Sequence, residues 1–186
     1  MSSEGNVLYD TNKRIFYISD SIDNNSMGVI CFNLECLLQQ DDKNEEELKN
    51  FKREPIKIFI NSGGGEIYDM WALIDIILNA KSPIYTYCTG YAMSAAFKIF
   101  LAGHKRFASK HATFLYHQMN CQRSGKYQDL VEDREEMDYL QDEIEKYVIE
   151  RTKITSKKIK NIRSSKKDWF IHSEEALQLG IINEII

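Results

Sequence analysis

The sequence predicts a single α/β domain built around a parallel sheet, and three observations carry that expectation. Two consecutive strand, turn and helix cycles occupy residues 55–102; a third β-rich run follows at Ala112 to His117; and 186 residues, 43% of them hydrophobic, suffice for one core but not two. Repeated strand-to-helix order implies right-handed crossovers, and these bring the strands alongside one another in the same direction.

A first short strand is expected at I-F-Y-I, Ile15 to Ile18, and polar turn signals follow from Ser19 to Ser26. Met27 to Gln40 places Ile30, Leu34, Leu37 and Leu38 at helical spacing. Asp41 to Glu54 then reads as a charged, solvated connector that Pro55 ends. In the first cycle, Pro55 to Ile60 is a strand, Asn61 to Gly65 a glycine turn, and Glu66 to Ala80 a helix with Ile67, Met70, Trp71, Ile74, Ile77 and Leu78 on its buried stripe. In the second, Ile84 to Cys88 is a strand, Thr89 and Gly90 a turn, and the helix that follows Ser94 runs to about Ala102.

The longest helical pattern, Gly125 to Arg151, sets Leu130, Val131, Met137, Leu140, Ile144, Tyr147 and Val148 against ten acidic residues. Arg151 to Lys167 turns basic, with eight Lys or Arg that complement a helix C-terminus. Ser173 to Gly180 is a short helix stopped by glycine, and Ile181 to Ile186 is strand-like.

A net charge of -4 argues against a nucleic-acid partner. Cys31, Cys36, Cys88 and Cys121 stand singly, without metal-ligand spacing, and read as core thiols. Neither a leader pattern nor an apolar run of membrane length is visible, so a reducing cytoplasm is the expected location.

Ser94 stands where a strand gives way to a helix, which fits a helix start as well as a nucleophile whose neighbouring anion the helix N-terminus stabilises. A serine nucleophile needs a base. His117, at the end of T-F-L-Y-H-Q, is the histidine that a strand brings to a sheet edge; His104 and His111 lie in polar connectors, and His172 precedes the last helix. For the carboxylate that holds such a histidine, Asp168 before Trp169, Phe170 and Ile171 is the candidate, partly shielded from water, or else a surface residue capping a turn. Gly63 to Gly65 leave backbone N–H groups free for an oxyanion, or form a simple turn.

Four motifs narrow these alternatives: I-N-S-G-G-G from Ile60 to Gly65, G-Y-A-M-S-A-A from Gly90 to Ala96, F-x-x-x-H-A-x-F-L-Y-H-Q from Phe107 to Gln118, and D-W-F-I-H-S-E-E-A-L-Q-L-G-I-I from Asp168 to Ile182. In this order they resemble the caseinolytic protease P family, the proteolytic subunit of the Clp protease, over roughly Arg14 to the C-terminus. The resemblance implies a crotonase-like spiral of β-β-α units in one domain, 1–186, with a projecting handle at about 119–152. It implies a serine endopeptidase with Ser94 as nucleophile, His117 as base and acid, Asp168 as orienting carboxylate, and the Gly65 and Ala95 N–H groups as oxyanion hole. No metal or organic cofactor is implied in this subunit. The implied assembly is a heptameric ring, or two stacked rings, fed with unfolded polypeptide by an ATP-driven AAA+ unfoldase.

The sequence departs from the family at Gly63, where proline is usual in S-P-G-G, and at Met119, where H-Q-P is usual. Thirteen residues precede Arg14, fewer than the family's axial loops use. Two other classes share parts of the pattern: a non-catalytic ring subunit, and a crotonase-type acyl-CoA enzyme that works with carboxylates.

Overall fold

The computed structural model describes residues 2–4 and 7–186. The chain runs through β1 (Ser2–Glu4), β2 (Val7–Asp10), β3 (Ile15–Ile18), α1 (Asn24–Glu47), β4 (Ile56–Ser62), α2 (Ile67–Asn79), β5 (Ile84–Met93), α3 (Ala95–Ala102), β6 (Lys105–Ala108), β7 (Thr113–Tyr116), α4 (Tyr127–Arg151), α5 (Ser156–Ser165), β8 (Trp169–His172), α6 (Ser173–Gln178) and β9 (Glu184–Ile185).

The expected parallel sheet is present as β3-β4-β5-β6-β9, each neighbour parallel to the next. An antiparallel β1-β2 hairpin extends one edge. Alternation in β4 puts Ile56, Ile58 and Ile60 in the core, and Ile84, Cys88 and Ala92 of β5 do the same beside them. On the opposite face Tyr17, Phe59, Tyr87 and Phe107 form a stacked row across four strands. All eight residues of α3 are buried, because α2, α4 and the sheet enclose the helix from every side.

Two expected boundaries move. The α1 helix begins at an Asp23–Ser26 capping box and continues through Asp41 to Glu47, so most of the supposed connector is helical. Asp41 is buried rather than solvated: Arg14 donates to both of its oxygens, at 2.9 and 2.6 Å, and the Ser82 hydroxyl adds a third bond. Burial alone would raise the Asp41 carboxyl; the hydrogen bonds from Arg14 and Ser82 outweigh it and hold the pKa below the usual aspartate value. Secondly, Thr89 and Gly90 are not a turn, since β5 runs on to Met93. Gly90 serves close approach instead: a Cβ there would lie 2.2 Å from Asn61 Oδ1, which accepts from the Tyr91 N–H.

The long β5 changes partners along its length. Tyr85 to Cys88 pair with β6, whereas Tyr91 to Met93 pair with β7. This switch carries the end of β5 and the end of β7 to the same place. Beyond β7, residues 117–126 form no regular element before α4 starts, and the N-terminal half of α4 is largely exposed while Leu140, Ile144, Tyr147 and Val148 bury its C-terminal half.

Candidate active site

Ser94 occupies the junction of β5 and α3 in a conformation that L-residues rarely adopt, with φ 53° and ψ -121°. Its N–H donates to Leu115 O of β7 at 3.0 Å. The sharp bend thus sits on three supports: β5 before it, α3 after it and β7 beside it.

The glycine turn supplies a fourth support. Gly64 has φ 101°, and a Cβ there would fall 2.7 Å from Met93 O, 2.8 Å from Ala95 N and 2.8 Å from the Ser94 Cβ. Gly65, at φ 155°, lies against Ile22, whose carbonyl would be 2.1 Å from an added Cβ. Ile22 N donates to Gly64 O and Glu66 N donates to Ile22 O, so the turn is pinned through its neighbours while the Gly65 N–H stays outside the pairing. Ala95 is the first residue of α3, where a helix leaves its N–H without an intrahelical acceptor.

Ser94, Ala95, Gly65 and His117 line one cleft of about 160 Å³, with Lys98, Ile67, Met70, Met119 and Ile144 completing much of its wall. A hydroxyl, two backbone N–H groups and an imidazole belong to residues that share that space. His117 Nδ1 lies 2.5 Å from Gln118 O. A carbonyl only accepts, so Nδ1 carries the proton and Nε2 is left with the lone pair a general base uses.

Asp168 is placed differently. The antiparallel β7–β8 register pairs Tyr116 with Trp169, and the next step outward sets His117 opposite Asp168. Their backbones are therefore neighbours, yet Asp168 is exposed rather than partly shielded, does not line the cleft, and the imidazole proton goes to Gln118 O.

A relay of side chains holds the wall beyond His117. Met119 N donates to Gln141 Oε1 at 2.8 Å, Gln141 Nε2 donates to Glu145 Oε1 at 2.9 Å, and Arg163 of α5 reaches Glu145 and Asp142. The basic segment is thus in part a brace for α4. Lys98 was not among the candidates that the sequence offered. The available signal was a lone cation in an apolar helix, one turn after Ser94.

The family model described as Clp protease matches residues 6–186. An ATP-dependent Clp protease proteolytic subunit of Deinococcus radiodurans is 31% identical over 152 residues, covering 81% of this chain and 70% of that protein. A proteolytic subunit 1 of Shouchella clausii is 30% identical over 175 residues, 93% of this chain and 84% of its own. A proteolytic subunit 4 of Rhodococcus jostii is 29% identical over 177 residues, 94% and 85% of the two chains. A match of this extent, on a mixed α/β fold of the ClpP/crotonase kind, means that the chain belongs to the Clp protease family of serine peptidases.

Proposed function

We propose that the chain hydrolyses peptide bonds through an acyl-enzyme on Ser94, with His117 as proton carrier and Asp168 as its orienting carboxylate. The observation that carries this reading is the junction of Ser94 with the Gly65 and Ala95 N–H groups in a cleft that also holds His117. Ser94 Oγ attacks the scissile carbonyl carbon and passes its proton to His117 Nε2. Charge that develops on the carbonyl oxygen is met by the Gly65 and Ala95 N–H groups and the N-terminus of α3. The imidazolium gives its proton to the leaving amine; water then attacks the acyl carbon as His117 takes its proton, and the imidazolium returns that proton to Ser94 Oγ as the C–O bond breaks and the acid leaves. Every proton is carried by side chains or water, so the chemistry uses no metal or organic cofactor.

In the working state His117 Nδ1 donates to Asp168 instead of Gln118 O. Each residue stands one position beyond the last β7–β8 pair, Tyr116 with Trp169, so the chain brings them to the same end of the ladder and the exchange reorients the His117 side chain away from Gln118 O. Assembly supplies the constraint. Exposed Tyr127 (83%), Leu130 (40%) and Tyr139 (60%) on α4 are apolar surface suited to a contact between copies, at the position of the handle, about 119–152. The relatives are named as ATP-dependent proteolytic subunits, which supports a ring oligomer fed with unfolded chains by an AAA+ unfoldase. Among the described residues, no helix is long and apolar enough to cross a membrane.

Fluorogenic peptide hydrolysis by the oligomer separated by native mass tests the reading. Turnover that falls at least about 10⁴-fold in Ser94→Ala supports it. The unformed bond between His117 and Asp168 also fits a non-catalytic ring subunit, which predicts activity only in mixture with an active partner subunit and no effect of Ser94→Ala.

A further inference from the structure

Lys98 is the only charged residue of α3 and lies four residues after Ser94, one turn along the same face. Helical side chains lean toward the N-terminus, so its stem runs back over the Ser94 turn. It lines the cleft that contains Ser94 and Gly65, yet the residue is only 4% exposed.

Among the described residues no carboxylate pairs with the ammonium. Its recorded contact is the face of Tyr116, 5.2 Å from the ring centroid. Around the cleft stand Ile67, Met70, Met119 and Ile144. Glu145 of α4 is committed to Gln141 and Arg163, and the Tyr147 hydroxyl donates to the Lys98 carbonyl rather than meeting the ammonium. Burial alone, with no carboxylate contributing, pulls the Lys98 pKa down to about 7. A buried cation that faces an aromatic ring but no counter-ion is costly to keep, and here it stands in the cleft of Ser94.

We propose that Lys98 selects substrates with an acidic residue on the acyl side of the cut, whose carboxylate enters the cleft and pairs with the ammonium. The residue whose carbonyl is attacked necessarily places its side chain next to Ser94. Lys98 brings the one ammonium to a cleft lined also by Ile67, Met70, Met119 and Ile144 and by the uncharged amides of Gln118 and Asn120. A glutamate or aspartate supplies the missing anion in a water-poor site, where a charge-assisted bond is strong. Glutamine has nearly the same shape but leaves the ammonium unpaired, and a buried polar group left unpaired is what makes such sites selective. Leucine buries apolar surface at the expense of covering the cation. This assignment rests on the peptidase reading of Ser94.

The test uses four fluorogenic peptides identical except for Glu, Gln, Leu or Lys before the cleaved bond, together with fluorophosphonate labelling of Ser94. The wild-type oligomer is expected to favour Glu over Gln by at least about 30-fold in kcat/KM. Lys98→Met is expected to bring that ratio near one while improving the Leu peptide, and Lys98→Glu to shift preference toward Lys. A wild type that labels at Ser94 but cleaves Leu as well as Glu overturns the specificity and leaves the peptidase reading standing. Equal loss on all four peptides in Lys98→Met, with labelling also slowed, overturns it in favour of a proton-transfer role for Lys98. Absence of both cleavage and labelling overturns the two readings together.

Discussion

The two sides of the cleft are held in different ways. The Ser94 side is enclosed by β4, β5, β7 and α3, and a glycine turn packed within contact distance fixes a strained backbone. The His117 side ends on the β7–β8 pair, where regular pairing stops at Tyr116 and Trp169 and residues 117–126 continue without a sheet or helix. Strain persists only where surroundings over-determine it, so the proposed nucleophile and its oxyanion donors are set by the fold of one chain. The proposed proton relay is not: under the proposed function its geometry depends on what packs against residues 117–126 and α4.

The largest test of that contrast is Asp168→Asn. In the oligomer it is expected to lower kcat about 10³- to 10⁴-fold, because the imidazolium loses its partner. The unfolding free energy from chemical denaturation should change by less than about 0.5 kcal/mol, as for an exposed residue away from any packed contact. A large loss of stability would mean that Asp168 is already part of the resting structure.

Gly64→Ala attacks the opposite side. The new Cβ meets Met93 O and Ala95 N inside contact distance at a positive φ, so a stability loss of about 3–4 kcal/mol is expected by urea denaturation, accompanied by loss of Ser94 labelling. Normal stability with normal labelling would show that the turn does not support the bend.

These two sides also differ in how far the sequence revealed them. Ser94, the glycine turn and the α2 stripe follow from local periodicity and turn chemistry, which are properties of neighbouring residues. The Gly90 error had the same local origin, since a glycine that lets Asn61 approach looks like a glycine that makes a turn. Asp41 was misread because hydropathy treats a carboxylate as solvated, while its partners Arg14 and Ser82 lie 27 and 41 residues away. His117 and Asp168 were each candidates on local grounds, a strand end and a lone carboxylate before an apolar run, and only the family resemblance chose the catalytic reading over the alternatives. That Nδ1 turns instead to Gln118 O is a matter of side-chain rotation, on which residue spacing is silent.

Away from the cleft, Asp41→Ala leaves the mostly buried Arg14 unpaired and is expected to cost about 3 kcal/mol. Because the folded-state pKa of Asp41 is depressed, the wild-type contribution is present above the ordinary aspartate range and disappears as pH falls through the folded value. The difference between wild type and Asp41→Ala in urea melts should therefore shrink on acidification. A difference that stays constant to pH 2 would place the stabilisation in packing rather than charge.

Lys98→Met is the smallest expected change and has the opposite sign, a gain of about 2 kcal/mol or roughly 4–8 °C in Tm. Burial puts the folded-state pKa near 7 against 10.5 for a free lysine. The folded chain thus holds fewer protons than the unfolded chain between those values. The penalty is complete below pH 7 and fades toward 10.5, so the gain from Lys98→Met should be largest near pH 6.5 and small near pH 10. A destabilised Lys98→Met at pH 6.5 would show that the ammonium has a structural partner.

The central claim is that Ser94 is a preformed nucleophile whose proton relay is completed by assembly. Fluorophosphonate labelling followed by peptide mass mapping, carried out in parallel on separated monomer and oligomer fractions, tests it directly. The account predicts one adduct per chain on Ser94 in the oligomer, at least about 10²-fold slower labelling in the monomer, and none in Ser94→Ala. Equal rates in both fractions would contradict control by assembly, and an oligomer without an adduct on Ser94 would contradict the nucleophile itself.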